Sequence, residues 1–230
     1  MHRKVILLGD TTVGKSSIIN RRMKNTFNQN IPNTIGTAFF KQSFKREGKN
    51  LEMSIWDTCG QEQFMAISTV YYRDAHVILL AIDAKSSESL EMAKVYLDEI
   101  ENNADPKCTV FLVINKIDLL RKKEYEGEKV GYTDVYSDKV DADATETCKD
   151  SCEFFQDIRK MQMENSRIQK IFCVSAKTGE NVNNMFNYLV DRFFEFKFAL
   201  DSLSGSHIDN SKFNQNSNKK KEESKSKGCC

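Results

Sequence analysis

Val5-Ile6-Leu7-Leu8-Gly9-Asp10-Thr11-Thr12-Val13-Gly14-Lys15-Ser16 is the stretch on which the rest of the chain turns. Four consecutive apolar residues make a buried strand, two glycines bracket a tight turn, and a helix opens at the lysine. Gly9 and Gly14 let the backbone curl so that successive N–H groups point inward and form a nest for an anion. The helix opening at Lys15 adds its positive dipole end, and the Lys15 ammonium can reach the β- and γ-phosphates of a nucleotide. Ser16 offers Mg²⁺ a hard oxygen. A glycine-containing turn that binds nothing would read the same way over so short a stretch, so the remainder of the chain has to decide.

Composition narrows the classes. The 230 residues suit one ordinary domain with an appendage, and 40% hydrophobic with 29% charged residues is the balance of a soluble globular protein. With 34 Lys+Arg against 33 Asp+Glu, whole-chain electrostatics point to no nucleic-acid partner. The apolar runs 77–82 and 110–114 are strand-sized, far short of a bilayer span. Met1 leads almost directly into the first strand, from which no signal peptide is expected. Seven scattered cysteines without CxxC spacing read as reduced thiols, and three dispersed histidines give no zinc site.

Strand and helix signals then alternate. A helix is expected over 16–24, followed by a loop through Pro32 to Thr34. Runs 38–45 and 51–57 are strand-like and joined by a Gly48-containing turn, which is a hairpin signal. A short helix fits 63–73. Strands at 77–82, 109–115 and 171–174 are separated by amphipathic helices at 87–102, from about 148 onward, and at 182–198. Six strands of this kind predict an α/β fold: a doubly wound, mostly parallel sheet with one antiparallel edge strand supplied by the hairpin. Two regions break the rhythm. Residues 121–147 are polar and charged, longer than the ~12–15 residues of an ordinary connection, and read as a solvated insertion. From 201 to 230 the chain is rich in Ser, Asn and Lys and reads as a disordered tail after a folded domain over 1–200.

In an open parallel sheet, ligands sit beyond the carboxyl ends of the strands, and further motifs fall there. Asp57 closes a strand and can stand behind Mg²⁺; Thr34 can add a hydroxyl to that ion and an N–H to the γ-phosphate. Asn115-Lys116-Ile117-Asp118 follows an apolar strand directly. A carboxylate at Asp118 can accept from both N1–H and the exocyclic amine of guanine, a donor pair that adenine lacks. Ser175-Ala176-Lys177 follows the last strand, where the Ala176 N–H can meet guanine O6. Each motif alone has a bland reading as a turn or a helix cap. Five in order, each at its strand end, leave that reading little room.

These residues closely resemble the Ras superfamily of small GTPases, which are P-loop NTPases, and within it the Rab family. The resemblance rests on the phosphate loop, Thr34, Trp56-Asp57-Thr58-Cys59-Gly60-Gln61-Glu62, Asn115-Lys116-Ile117-Asp118 and Ser175-Ala176-Lys177. Thr34-Ile35-Gly36-Thr37-Ala38-Phe39 is most similar to the early-endosomal Rab subgroup. The resemblance implies slow cleavage of GTP to GDP, with Gln61, Lys15 and Thr34 in catalysis and Ser16, Thr34 and Asp57 at Mg²⁺. It implies nucleotide contacts from Gly9, Thr12, Val13, Gly14, Lys15, Ser16, Ser17, Thr34 and Gly60, and from Phe27 on the guanine face. Asn115, Lys116, Asp118, Ser175, Ala176 and Lys177 are implied around the base. It further implies an exchange factor, a GTPase-activating protein, and effectors that read Phe39, Trp56 and Tyr71. A prenylation escort, a GDP-dissociation inhibitor, endosomal membranes and a monomeric state belong to the same expectation.

Departures from the family are specific. Thr11 and Thr12 stand where the phosphate loop of Ras is glycine-rich, and can crowd an incoming arginine finger. Cys59 replaces the usual Ala, Gln63 an Arg common in Rabs, and Asp74 a usual Gly. The insertion has no counterpart. At the end of the chain, Cys229-Cys230 on a tail whose last twelve residues carry five Lys against two Glu resembles the Rab double-prenylation signal. Two rival readings remain: a module that holds nucleotide with negligible turnover, kept open by Thr11 and Thr12, and an adenine-nucleotide kinase, disfavoured by Asn115 and Asp118.

Overall fold

The apolar run before Gly9 lies at the middle of a six-stranded sheet, flanked on both sides by strands that follow much later in the chain. The protein is seen in a computed structural model that describes residues 1–34, 36–60, 71–120 and 152–204. The strands are His2–Leu8 (β1), Thr37–Arg46 (β2), Lys49–Thr58 (β3), Val77–Asp83 (β4), Thr109–Asn115 (β5) and Ile168–Cys173 (β6). Among the described residues, the helices of more than one turn are Lys15–Lys24 (α1), Ser87–Asn103 (α2), Cys152–Glu164 (α3) and Val182–Ser204 (α4). The chain divides into two units, Met1–Asp191 and Arg192–Cys230, and the sheet lies in the first.

Strand order is β2-β3-β1-β4-β5-β6, with β2 antiparallel to β3 and every other neighbour parallel. This is the doubly wound α/β arrangement expected from the alternation of strands and helices. The central strand β5 occupies 109–115 as expected, with its interior positions almost wholly buried, and β4 runs one residue past the expected 77–82. Edges and half-covered strands run longer than expected. His2, Arg3 and Lys4 extend β1 by pairing with Glu52, Met53 and Ser54 of β3, while β4 begins to pair only at Val5. A stretch with one neighbour tolerates polar side chains, so its composition hid it. The same holds for β6, which starts at Ile168 rather than at 171, because an edge strand can carry Gln169 and Lys170.

One face of the sheet packs Ile6, Leu8, Ile78, Leu80, Ile82, Leu112 and Ile114 against Leu90, Ala93, Leu97 and Ile100 of α2 and Ile158 and Met161 of α3. On the other face, ring contacts join Phe111 to Phe172 at 5.8 Å and Phe111 to Tyr188 of α4 at 5.9 Å. Ile18 and Ile19 of α1 are fully buried, whereas Met23 is only half-buried. Of the short helix expected over 63–73, only 71–73 lies among the described residues, with 71–72 helical. The insertion at 121–147 and the tail from 205 onward lie outside the described residues. No described helix is long and apolar enough to cross a membrane.

Because β1, β3, β4, β5 and β6 all run the same way, the loops after Leu8, Thr58, Asp83, Asn115 and Cys173 emerge along one edge. The strand order reverses at β1, whose neighbours β3 and β4 lie on opposite sides, so the loop after β1 occupies the switch point where ligands bind such sheets.

Candidate functional site

A cavity of about 420 Å³ opens along that edge, a volume suited to a small organic ligand. Its walls come from the phosphate loop and α1 (Thr11, Thr12, Gly14, Lys15, Ser16, Ser17), from Phe27 to Thr34, from Thr58 and Gly60, and from Asn115, Lys116, Asp118, Leu119, Ala176 and Lys177. The sequence thus brings five distant segments to one hollow. Gly9, Val13, Asp57 and Ser175, expected around the ligand, are not among the residues that form the wall.

At one end the backbone is bent around the Lys15 side chain. Gly9 has φ 134°, and a Cβ there would lie 2.3 Å from the Ala81 carbonyl oxygen, so only glycine fits. Lys15 is 6% exposed, and its Nζ donates to the carbonyls of Gly9 at 2.7 Å and Asp10 at 2.8 Å. Burial lowers its pKa to about 8, partly offset by the nearby carboxylates of Asp57 and Asp10. A desolvated ammonium pinned at the mouth of an N–H nest is built to meet an anion. Gly60 closes over it: a Cβ at that position would come within 2.4 Å of Lys15 Nζ.

Beside Lys15 three hard oxygens converge. Ser16 Oγ and Thr34 Oγ1 lie 2.7 Å apart. Asp57 is the penultimate residue of β3, at 3% exposure, and its Oδ1 is buried without a hydrogen-bond partner among the described residues. Burial raises the Asp57 pKa, countered by the Ser16 hydroxyl and the Lys15 charge. Asp57 lies within a strand, so it caps no helix. Among the described residues no cluster of His, Cys, Asp and Glu could hold a metal alone. One carboxylate with two hydroxyls is instead the donor set of an ion that takes its other ligands from water and substrate phosphates, which fits Mg²⁺.

The far end is built from loops tied to one another. Asn115, 1% exposed, donates through Nδ2 to the Val13 carbonyl at 2.8 Å and accepts from the Ala176 N–H at 3.1 Å. Ala176, whose N–H is the expected partner of guanine O6, lies in the cavity wall beside Asn115. Asp118 accepts from Ser175 Oγ at 2.6 Å, and the same oxygen of Ser175 accepts from the Thr178 N–H at 3.1 Å, fixing the carboxylate at the cavity. Lys116, not Asp118, precedes the short 3₁₀ turn Ile117–Leu119, at φ 65°. Phe27, 36% exposed, supplies an open aromatic edge opposite.

Sequence reading missed Asp83. Its Oδ2 accepts from Lys116 Nζ at 2.6 Å, and its Oδ1 accepts from the Lys85 N–H at 3.0 Å. A carboxylate at a strand end carries no local signal for this; only the Asp83 and Asn115 pairing of β4 with β5 places it. Gln61, Gln63 and the terminal cysteines lie outside the described residues. Cys59 donates its N–H to the Gly36 carbonyl at 3.0 Å, joining the loops before β2 and after β3. Away from the cavity, Phe39 is 46% exposed, packs on Trp56 at 4.9 Å, and Trp56 meets Tyr71 at 5.9 Å, one continuous aromatic patch.

The profile of the Ras family matches residues 4–195. The chain is 32% identical to GTP-binding protein YPT52 of Saccharomyces cerevisiae, over 84% of this chain and 82% of that one. It is 35% identical to Ras-related protein Rab-36 of Homo sapiens, over 86% of this chain and 64% of that one. It is 32% identical to Ras-related protein Rab-5B of Plasmodium falciparum, over 86% of this chain and 81% of that one. Nothing in these likenesses supports a nucleotide-holding module without turnover. The chain belongs to the Ras family and is a GTPase, an enzyme that hydrolyses GTP to GDP and phosphate.

Proposed function

We propose that this protein is a Rab-type switch that binds GTP and GDP with Mg²⁺, cleaves GTP slowly, and works on the cytoplasmic face of intracellular membranes in vesicle trafficking. One observation carries the reading: a single cavity has the buried Lys15 ammonium and the left-handed turns of Thr12 and Gly14 at one end and a fixed carboxylate, Asp118, at the other. A guanine nucleotide is the ligand that needs both. Lys15 and the loop amides hold the phosphates; Ser16 and Thr34 would hold Mg²⁺ with Asp57 behind them. Bound there, the ion would neutralise charge between the β- and γ-phosphates. Asp118 accepts from the guanine edge, and Phe27 and Lys116 pack on the base.

Cleavage by such a site is a matter of position and charge. Lys15 stabilises charge on the phosphoryl oxygens, and Gln61, by the family resemblance, orients the attacking water. Thr11 and Thr12 both line the cavity at the phosphate end, where they narrow the approach of an arginine from an activating protein. Unaided turnover is therefore expected to be slow. The γ-phosphate orders the loops at 28–40 and 58–73, and its loss releases them, which changes affinity for exchange factor, activator and effectors at Phe39, Trp56 and Tyr71.

Rab-5B and GTP-binding protein ypt5 of Schizosaccharomyces pombe, 31% identical over 84% of this chain, favour endosomal membranes. Attachment would use lipid on Cys229 and Cys230, with an escort and a GDP-dissociation inhibitor moving the chain to and from the cytosol. The test is single-turnover GTP cleavage with Mg²⁺: a slow wild-type rate is expected, and a rate about ten-fold lower for Gln61→Leu. No measurable GDP binding by calorimetry in Mg²⁺ overturns the whole reading.

A further inference from the structure

Arg21, in the last turn of α1, makes more hydrogen bonds to distant backbone than any helix-end arginine requires. Its Nε donates to the Ala176 carbonyl at 2.9 Å and its Nη2 to the Lys177 carbonyl at 2.6 Å. Its Nη1 donates to the Asn25 carbonyl at 2.9 Å and to Asn25 Oδ1 at 3.2 Å. The backbone joins in, because the Asn25 N–H donates to the Arg21 carbonyl at 3.0 Å. Further along the second loop, Gly179 sits close over the Arg21 stem, where an added Cβ would lie 3.4 Å from Cδ.

An ordinary role is available: arginine near a helix C-terminus bonds the last carbonyls and complements the dipole. The Asn25 contacts would satisfy it. They leave unexplained a guanidinium whose other two edges reach residues more than 150 positions away, in a different loop. The two loops held are those that flank the far end of the cavity. Two residues beyond Asn25 lies Phe27, and Ala176 and Lys177 form the opposite wall.

We infer that Arg21 is the positioning residue of the base end: it fastens the Phe27 side to the Ala176–Lys177 side and so governs how long a nucleotide stays, without touching it. This rests on the reading of that end as the guanine site. The chemistry favours arginine, since a planar fork of fixed donors can serve carbonyls in two loops at once, whereas a lysine point charge serves them poorly. With the fork gone, nothing else described bridges Asn25 to Ala176, and the walls separate more readily.

The experiment loads the full chain with mant-labelled GDP in Mg²⁺ and follows release into excess unlabelled GDP. Arg21→Met is expected to release about ten-fold faster or more, with the association rate changed less than about three-fold and the amplitude of bound label kept. Arg21→Lys should fall between it and wild type. A merely misfolded fraction would lower the amplitude and leave the release rate alone. Arg22→Met is the control, because Arg22 bonds Gln42, Asn183 and Asn187 and no residue of the cavity. Release by Arg21→Met within about two-fold of wild type, or equal acceleration by Arg22→Met, overturns the inference. If Arg21→Met does not fold, Arg21→Lys decides: a wild-type release rate overturns it. Should the wild type itself fail to retain GDP, the guanine-site reading falls first and this inference falls with it.

Discussion

The two ends of the cavity are made in different ways. The phosphate end is built chiefly on one contiguous stretch, residues 9–17, bent by glycine backbone and closed from outside by Gly60, with Thr34 and Asp57 brought in beside it. The base end has no such stretch. It is assembled from 25–28, 115–119 and 175–177, and is held by side chains that reach between segments: Asn115 to Val13 and Ala176, Arg21 to Asn25 and Ala176, Asp83 to Lys116. One end is therefore encoded locally and the other by tertiary contacts. The lesson is that substitutions remote from the ligand should loosen the base end and leave the phosphate end alone.

The largest effect should come from the local end. Lys15→Met removes the buried ammonium from the nest, and affinity for GDP in Mg²⁺ is expected to fall about a thousand-fold, measured by calorimetry. The same residue gives a pH signature. Its pKa in the free folded protein is lowered to about 8, against 10.5 for the ordinary lysine. Between those values the unfolded chain binds the proton and the folded chain does not, so the free protein gains stability as pH rises across that window. Phosphate favours the charged form. Binding should therefore take up a proton above pH 8, and affinity should weaken as pH rises further. Titrations at pH 9 in buffers of differing ionisation enthalpy measure that uptake; none at all would mean that Lys15 is not the phosphate partner.

A smaller effect sharpens the contrast. Asp83 does not line the cavity, yet Asp83→Ala removes the acceptor that holds Lys116 Nζ. The pair is partly exposed, with side chains 31% and 15% accessible, so solvent screening limits its worth. GDP release is expected to quicken about three- to ten-fold, while the Lys15 pH signature stays put. Unchanged release would show that the base end stands without remote support, and the distinction between the two ends would collapse.

The same distinction explains what was legible. Gly9, Gly14, Lys15 and Ser16 announce their chemistry through spacing alone, and β5 through an unbroken apolar run. Asn115 and Asp118 were readable because they follow that run directly. Asp83 and Arg21 were not, because an acidic strand end and a basic helix end look like solvated surface until the fold brings their partners close. The hydrogen bond from the Ala176 N–H to Asn115 Oδ1 was not legible for a related reason: the two residues lie 61 positions apart, and no local pattern shows the pairing.

The least effect, and the one of opposite sign, belongs to Thr12. It is β-branched yet sits at φ 61°, a left-handed conformation that glycine adopts freely and threonine does not. Thr11 beside it is held by Asp10, whose Oδ1 accepts the Thr11 N–H at 2.6 Å, so the bend is imposed by the loop and not chosen by residue 12. Thr12→Gly should relieve about 1–2 kcal/mol of backbone strain and give back part of it through the greater freedom of glycine in the unfolded chain. The net expectation is a GDP-loaded protein more stable by about 1 kcal/mol, a rise of about 2–4 °C in Tm by thermal melting. A fall in Tm would mean that the Thr12 side chain contributes more to the loop than its backbone costs. The bend of the phosphate loop would then depend on side-chain contacts as the base end does, and its encoding in the local backbone would fail at the residue best placed to test it.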